Sequence, residues 1–235
     1  MKKRIAYCII ILAFTSGCSD DGLGFSIFSN SSDFSTGPQG WVGDFADYPT
    51  GIDDSSFYEL RFEYTDRPEN LGPVQKAIML SGNNHSDDLF MFLKKKINGL
   101  QPNTDYTVVF EVELASNAEK NNTGVGGAPG ESVYVKAGAS IIEPKKIVDG
   151  NNYRMNIDKG NQSTDGDDMK VIGNIAVESA EYNLITRSNS SQSTPFIVRS
   201  SALGELWLIV GTDSGFEGVT TLYYTKINVV FSSSN

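Results

Sequence analysis

Cysteine and histidine are nearly missing from this sequence, which holds two and one of them in 235 residues. Cys8 lies inside an apolar N-terminal run and Cys18 just beyond it, so no pair is left to staple a folded domain. The core must be held by packing alone. With His85 as the sole histidine and no cysteine cluster, the donor set of a zinc centre is lacking. Basic residues are also scarce, 19 against 29 acidic ones. Nucleic-acid phosphates need a basic surface, so nucleic acid is not the expected partner. The glycine-rich stretch Gly124-Val125-Gly126-Gly127-Ala128-Pro129-Gly130-Glu131 has Pro129 where G-x-G-x-x-G needs glycine. No Gly-Lys-Ser/Thr follows it, so a nucleotide site is not expected either. Beyond the N-terminus no segment is apolar enough to cross a membrane.

What is present begins with a leader. Lys2, Lys3 and Arg4 precede the apolar run Ile5 to Phe14, which is too short for a permanent span. Thr15-Ser16-Gly17-Cys18 then resembles a bacterial lipobox, with Thr15 in place of the usual leucine. The resemblance implies a lipoprotein signal peptide over 1–17 and a lipidated Cys18 as the mature N-terminus. Cleavage takes three of the 19 basic residues, leaving 16 against 29 acidic and a net charge of about −13. Such a chain would not lie flat on anionic lipid, so the acyl chains are the expected attachment. Ser19-Asp20-Asp21 looks like the acidic export tag of Bacteroidetes-type lipoproteins, which implies the outer membrane, facing the periplasm or the cell surface. Residues 18–23 form a short acidic tether, and 24–235 read as a single domain without an internal repeat.

That domain reads as all-β. Tyr106, Val108, Phe110, Val112 and Leu114 alternate with Thr107, Val109, Glu111, Glu113 and Ala115, which puts the first set on a buried sheet face. Leu89 to Ile97 precedes it as a partner strand, and Gly99-Leu100-Gln101-Pro102-Asn103 supplies turn chemistry for a hairpin. About ten strands with turn signals every 8–15 residues, and no long 3.6-residue period, predict an antiparallel β-sandwich. Leu206-Trp207-Leu208-Ile209-Val210 is apolar at every position, as in a strand covered on both faces by a loop folding across its sheet. Trp207 therefore reads as core.

Three segments resemble the galactose-binding-like jelly rolls that include many carbohydrate-binding modules. They are Ser32-Asp33-Phe34-Ser35-Thr36-Gly37-Pro38-Gln39-Gly40-Trp41, the Gly99 to Val112 segment, and Leu222 to Val229. They come in the family's order and span most of the mature chain. The resemblance implies a jelly roll and sugar binding. The family's structural calcium is not implied, because the matching positions are Ser35 and either Thr225 or Lys226 and none is a carboxylate.

Candidate chemistry is concentrated in polar loops. Asn84, His85 and Asp87 share one turn, and Trp41 and Tyr153 sit in polar surroundings suited to stacking on a sugar ring. Asp158, Asp165, Asp167 and Asp168 share another loop and offer hard oxygen ligands for calcium, without EF-hand spacing. Paired carboxylates at Asp53-Asp54, Asp87-Asp88 and Asp167-Asp168 do not identify a glycosidase, since adjacent residues rarely face one substrate atom. The leading expectation is non-catalytic glycan binding by surface loops. The alternatives are a structural or adhesive subunit that binds another envelope protein, and a glycoside hydrolase or lyase.

Overall fold

The computed structural model describes residues 25–52 and 56–234. The leader over 1–17, Cys18, the tether and Asp53-Asp54 lie outside the described residues. The first strands are β1 (Phe25–Asp33), β2 (Val42–Ala46), β3 (Tyr48–Pro49), β4 (Arg61–Asp66) and β5 (Lys76–Asn83). They are followed by β6 (Leu89–Ile97), β7 (Asp105–Ser116), β8 (Val133–Ser140), β9 (Lys146–Asp149) and β10 (Asn152–Met155). The last are β11 (Met169–Asn174), β12 (Asn183–Ser188), β13 (Phe196–Arg199), β14 (Leu206–Ser214) and β15 (Val219–Ser234).

These strands form an antiparallel β-sandwich. One sheet runs β12-β7-β15-β5-β4, with β1 beside β15 and β13 beside β7. The facing sheet runs β11-β8-β14-β6-β2, and β3-β10-β9 make a third, small sheet. From β5 to β8 the chain changes sheet at every connection, and it does so again from β13 to β14 and from β14 to β15. That winding is the jelly-roll pattern. Fifteen described strands replace the expected ten. The additions include β2, β3, β9 and β12, which are short or half-exposed and carry no clean period-2 signal. β1 also runs on to Asp33, through the polar residues Asn30-Ser31-Ser32-Asp33, whose types are more usual in loops.

The alternation of β7 is as expected: Tyr106, Val108, Phe110, Val112 and Leu114 are buried between the sheets, whereas Glu111 and Glu113 lie on the outer face. Its relation to β6 is not. β6 pairs with β14 and β2, and β7 pairs with β15, β12 and β13. The expected hairpin is therefore an arch that carries the chain from one sheet to the other. Its turn chemistry is unchanged, with Gly99 at φ +89° and Asn103 at φ +51°. Positive φ at those two positions suits a hairpin or an arch equally. Leu100 is buried between the sheets, and the Gln101 N–H donates to Tyr106 Oη at 2.9 Å.

A second apolar cluster lies on the outer side of the β8-β14-β6 face. Ala46, Phe90, Phe92, Ile157, Met169 and Ile209 pack there, with Phe90 and Phe92 stacked at 5.3 Å. The covering layer includes Ile157 and Met169, which flank the acidic loop, so the apolar run of β14 is covered on both faces. Trp207 departs from this: it is only half-buried, with Lys94 Nζ 5.6 Å from its ring centroid. Trp41 departs in the opposite direction. It is 2% exposed, edge-on to Phe34, and its Nε1–H donates to Ser32 Oγ at 2.9 Å. A ring so enclosed offers no face to a ligand, so the stacking role expected of Trp41 is withdrawn.

Candidate ligand-binding site

The turn after β5 is set by Asn84. Its buried amide donates to the carbonyls of Ser214 and Phe216, both at 2.9 Å, and its Oδ1 accepts from the Ser86 N–H. Asn84 thereby pins the turn to the β14–β15 connection, and its committed amide replaces the ligand contact expected there. His85 is held outward at the tip, and Asp87 follows at φ +58° with an exposed carboxylate.

His85 belongs to a row of aromatic rings. It lies tilted against Phe57, with ring centroids 4.3 Å apart, and meets the edge of Tyr58 at 5.7 Å. Tyr58 lies 5.2 Å from Tyr48, and Tyr48 lies 5.0 Å from Tyr153. Tyr48 and Tyr58 are buried, Tyr153 is half-buried, and Phe57 is 46% exposed. Lys146 Nζ stands over the Tyr153 ring at 4.8 Å and donates to Tyr48 Oη at 2.7 Å. Each ring edge is weakly positive and each face weakly negative, so tilted contacts at these distances are attractive. His85, Asp87 and Tyr153 were legible as candidates in the sequence. Phe57, which completes the exposed stack, was not, although the adjacent Phe57-Tyr58 pair was there to be read.

Beside the row, in a shallow depression of about 190 Å³, lie Asp47, Asp88, Arg154 and Lys159. Arg154 donates to Asp88 Oδ2 at 2.7 Å and lies 3.4 Å from Asp47. Lys159 Nζ sits 2.6 Å from Asp213 and 2.9 Å from Asp47. Lys136 Nζ, fully buried, donates to Asp213 at 3.0 Å and to the carbonyls of Lys159 and Thr164 at 2.8 and 3.0 Å. Burial pulls the Lys136 ammonium below its ordinary value, opposed by Asp213. Burial acts on Lys159 in the same sense, but Asp213 and Asp47 together outweigh it and hold that ammonium above its ordinary value.

Asp88 is pushed up to about 6, first by burial and then by the charge of Asp47, against the pull of Lys159 and Arg154. Between its ordinary value of 3.8 and about 6 the folded protein holds a proton that the unfolded chain has released. Asp88 therefore makes stability decline as pH rises through that window. A carbon-detected NMR titration of the Asp88 carboxyl is expected to show a midpoint near 6. Arg154→Gln should move it higher, because the bond that favours the ionised form is lost; an unchanged midpoint would refute the assignment.

Asp47, Asp88 and Asp213 each place one carboxylate oxygen within 4.8 Å of the others, a spacing that could hold a metal ion. Lys136, Lys159 and Arg154 already balance the three charges, and Lys159 bridges two of them. The expected calcium loop is arranged differently. Asp158 accepts from the Asp167 and Gly160 N–H groups, which hold its carboxyl below the usual range. Asp168 accepts from the Asp158 N–H and Asp165 from the Val171 N–H. Asp158, Asp165 and Asp168 thus brace their own loop, and Asp167 contributes its N–H to that bracing.

Ser35, Thr225 and Lys226 line one cleft together with Asp33 and Glu113, and there Lys226 Nζ stands 3.4 Å from Glu113. Phe216 sits between the glycine-rich loop and its own turn, since a Cβ at Gly124 in the loop or at Gly218 beside β15 would fall 2.5 Å from its ring.

No family model matches the chain, and no curated protein matches it in sequence. Among solved structures, the enzymatically active domain of tailspike protein 4 from bacteriophage CBA120 is 12% identical over 80% of this chain, with a TM-score of 0.36. This chain spans 19% of that one. A carbohydrate-binding module that recognises mannan is 12% identical over 90% of this chain and 99% of its own, with a TM-score of 0.36. A module solved in complex with beta-1,4-galactotriose is 10% identical over 83% of this chain and 92% of its own, with a TM-score of 0.38.

Proposed function

We propose that this protein is a lipid-anchored lipoprotein of the bacterial outer membrane that binds a glycan without transforming it. The observation that carries the binding reading is the exposed, tilted Phe57–His85 ring pair, continued through Tyr58 and Tyr48 to Tyr153. A sugar ring presents flat C–H surface rimmed by hydroxyls. It needs an apolar plate beside hydrogen-bonding groups. The plate here is Phe57 and His85, and the groups are Asp87, Asp88 and Arg154. Their surplus of carboxylates favours a neutral glycan over an acidic one. Hydrolysis would require two carboxylates that reach the substrate. Asp47 and Asp213 are closed off by Lys159, and the carboxylates that do reach the surface, Asp87 and Asp88, are chain neighbours, which rarely face one substrate atom. The anchor is supported by the order of charge, apolar run, small residues and Cys18 in the sequence.

The test is affinity electrophoresis of the mature domain in gels of neutral polysaccharides, backed by a glycan array. At least one neutral polysaccharide is expected to retard the protein. Phe57→Ala and His85→Ala should each weaken binding by up to about tenfold, the worth of one aromatic contact, with an unchanged melting temperature. A folded wild-type protein retarded by none of them would end the proposal.

A further inference from the structure

The two ends of the sandwich differ in character. β15 starts at Val219, paired with Asn83 beside the His85 turn, and finishes at Ser234, paired with Phe25. The aromatic row and the point where the chain leaves the leader side are thus separated by the length of a 16-residue strand, roughly 50 Å at 3.3 Å per residue. The Phe25 end also gathers the 98–104 arch and the 200–205 turn, because Leu206 pairs with Ile97 and Arg199 with Asp105.

Aliphatic side chains are exposed at this end, as Val125 and Val219 are at the other. Leu203 is 78% exposed, Ile27 72% and Ile197 59%. Ile27 and Ile197 belong to one row across the outer sheet face, through Ser232 and Thr107. Leu203 is displayed by a firm turn. Ser201 Oγ accepts from the Leu203 and Glu205 N–H groups, and the Leu100 N–H donates to the Gly204 carbonyl at 3.1 Å. A Cβ on Gly204, at φ +68°, would fall 2.1 Å from the Leu100 carbonyl oxygen, so the turn is shaped around glycine. Charges at this end come in neutral pairs, Arg199 with Asp105 at 3.1 Å and Lys96 with Glu205 at 2.9 Å. Elsewhere the chain is strongly acidic.

We infer that this end rests on the surface of an uncharged, zwitterionic lipid bilayer and holds the aromatic row outward. The inference rests on the Cys18 anchor proposed above. Six residues separate Cys18 from Phe25, a reach of at most about 25 Å, half the length of the domain. An anchor on so short a tether keeps the Phe25 end at the membrane. Apolar tips with balanced charge suit a zwitterionic surface, whereas the acidic remainder of the domain is better kept in water.

The experiment uses the full chain, expressed with its leader in a Gram-negative host, extracted in detergent and returned to phosphatidylcholine–phosphatidylethanolamine vesicles. Leader cleavage removes Cys8 and lipidation occupies Cys18, so Leu203→Cys or Val125→Cys supplies a unique thiol for a nitroxide. Val125 is an exposed residue bridged to Glu217 at the opposite end. The probe at 203 should be shielded from a water-soluble relaxation agent and reached by membrane-dissolved oxygen, and the probe at 125 should show the reverse. Flotation of the wild-type protein with the vesicles, and loss of flotation in Cys18→Ser, reports on the anchor separately. If the protein floats but both probes are equally open to the aqueous agent, the docking inference is overturned and the anchor stands. If the wild-type protein does not float, both fail.

Discussion

Asp213→Ala is expected to destabilise the fold by about 3–5 kcal/mol, the range for removing one partner of a buried ion pair. One oxygen of this carboxylate accepts from Lys136 at 3.0 Å, from Lys159 at 2.6 Å and from the Gln162 N–H at 2.8 Å. Lys136 and Asp213 are wholly buried and Lys159 nearly so, so neither ammonium can turn to water when its partner goes. Lys136 also donates to the carbonyls of Lys159 and Thr164, and these bonds tie the covering loop to β8. The loss should therefore appear twice: as a lower urea midpoint, and as faster hydrogen exchange over residues 156–168. Replacing both partners, as Lys136→Met with Asp213→Leu, should cost less than Asp213→Ala alone, because no unpaired charge remains on β8 or β14. A loss under 1 kcal/mol in the single variant would mean that water reaches the site and the ammoniums are not confined.

Gly138→Ala is the second large effect, about 1–3 kcal/mol in the overpacking range. A Cβ at this position would lie 1.9 Å from the Asp168 carbonyl oxygen and 2.7 Å from Met169 Cα. Both belong to the backbone that enters β11, where Met169 pairs with Gly138, and the Ala139 N–H donates to that same Asp168 carbonyl at 3.1 Å. Relief requires the loop to lift from the sheet, taking Met169 out of the outer apolar cluster. Gly43→Ala is the natural comparison. Its nearest obstacle, at 2.4 Å, is the Phe62 ring, a side chain 37% exposed at the edge of the sandwich. That ring can swing aside, so Gly43→Ala should cost well under Gly138→Ala in thermal melts of the two variants. Equal losses would show that the loop yields as easily as the ring.

Both predictions concern a layer that the sequence announces only faintly. The apolar run from Leu206 to Val210 says that β14 is covered on both faces, and Phe90, Phe92 and Ile209 are indeed beneath the covering loop. Lys136 could not be read as buried. It lies in Val-Tyr-Val-Lys-Ala-Gly-Ala-Ser, and its burial depends on Asp213, 77 residues away, and on carbonyls of a loop 23 and 28 residues away. The aspartates of that loop were legible as a cluster of hard ligands. Their folded arrangement uses several of them to accept the loop's own N–H groups.

The candidate site divides in the same way. His85, Asp87 and Tyr153 stand out in the sequence because polar neighbours flag a surface turn. Asn84 and Trp41 carry the same flags, yet both are buried, since a polar neighbourhood along the chain says nothing about what folds over it in space. Phe57 became part of the site only through the 4.3 Å contact with His85, 28 residues on.

By itself the sequence determined the all-β class, the strand alternation of β7 and the turn chemistry at Gly99 and Asn103. Period-2 patterning and positive φ are local properties, fixed by neighbouring residues. The tertiary structure alone decided that β6 and β7 belong to opposite sheets, that Lys136 and Lys159 lie among buried carboxylates, and that five rings align beside Arg154. Those outcomes depend on which distant segments meet, and the packing of the whole chain selects among pairings that every local signal permits.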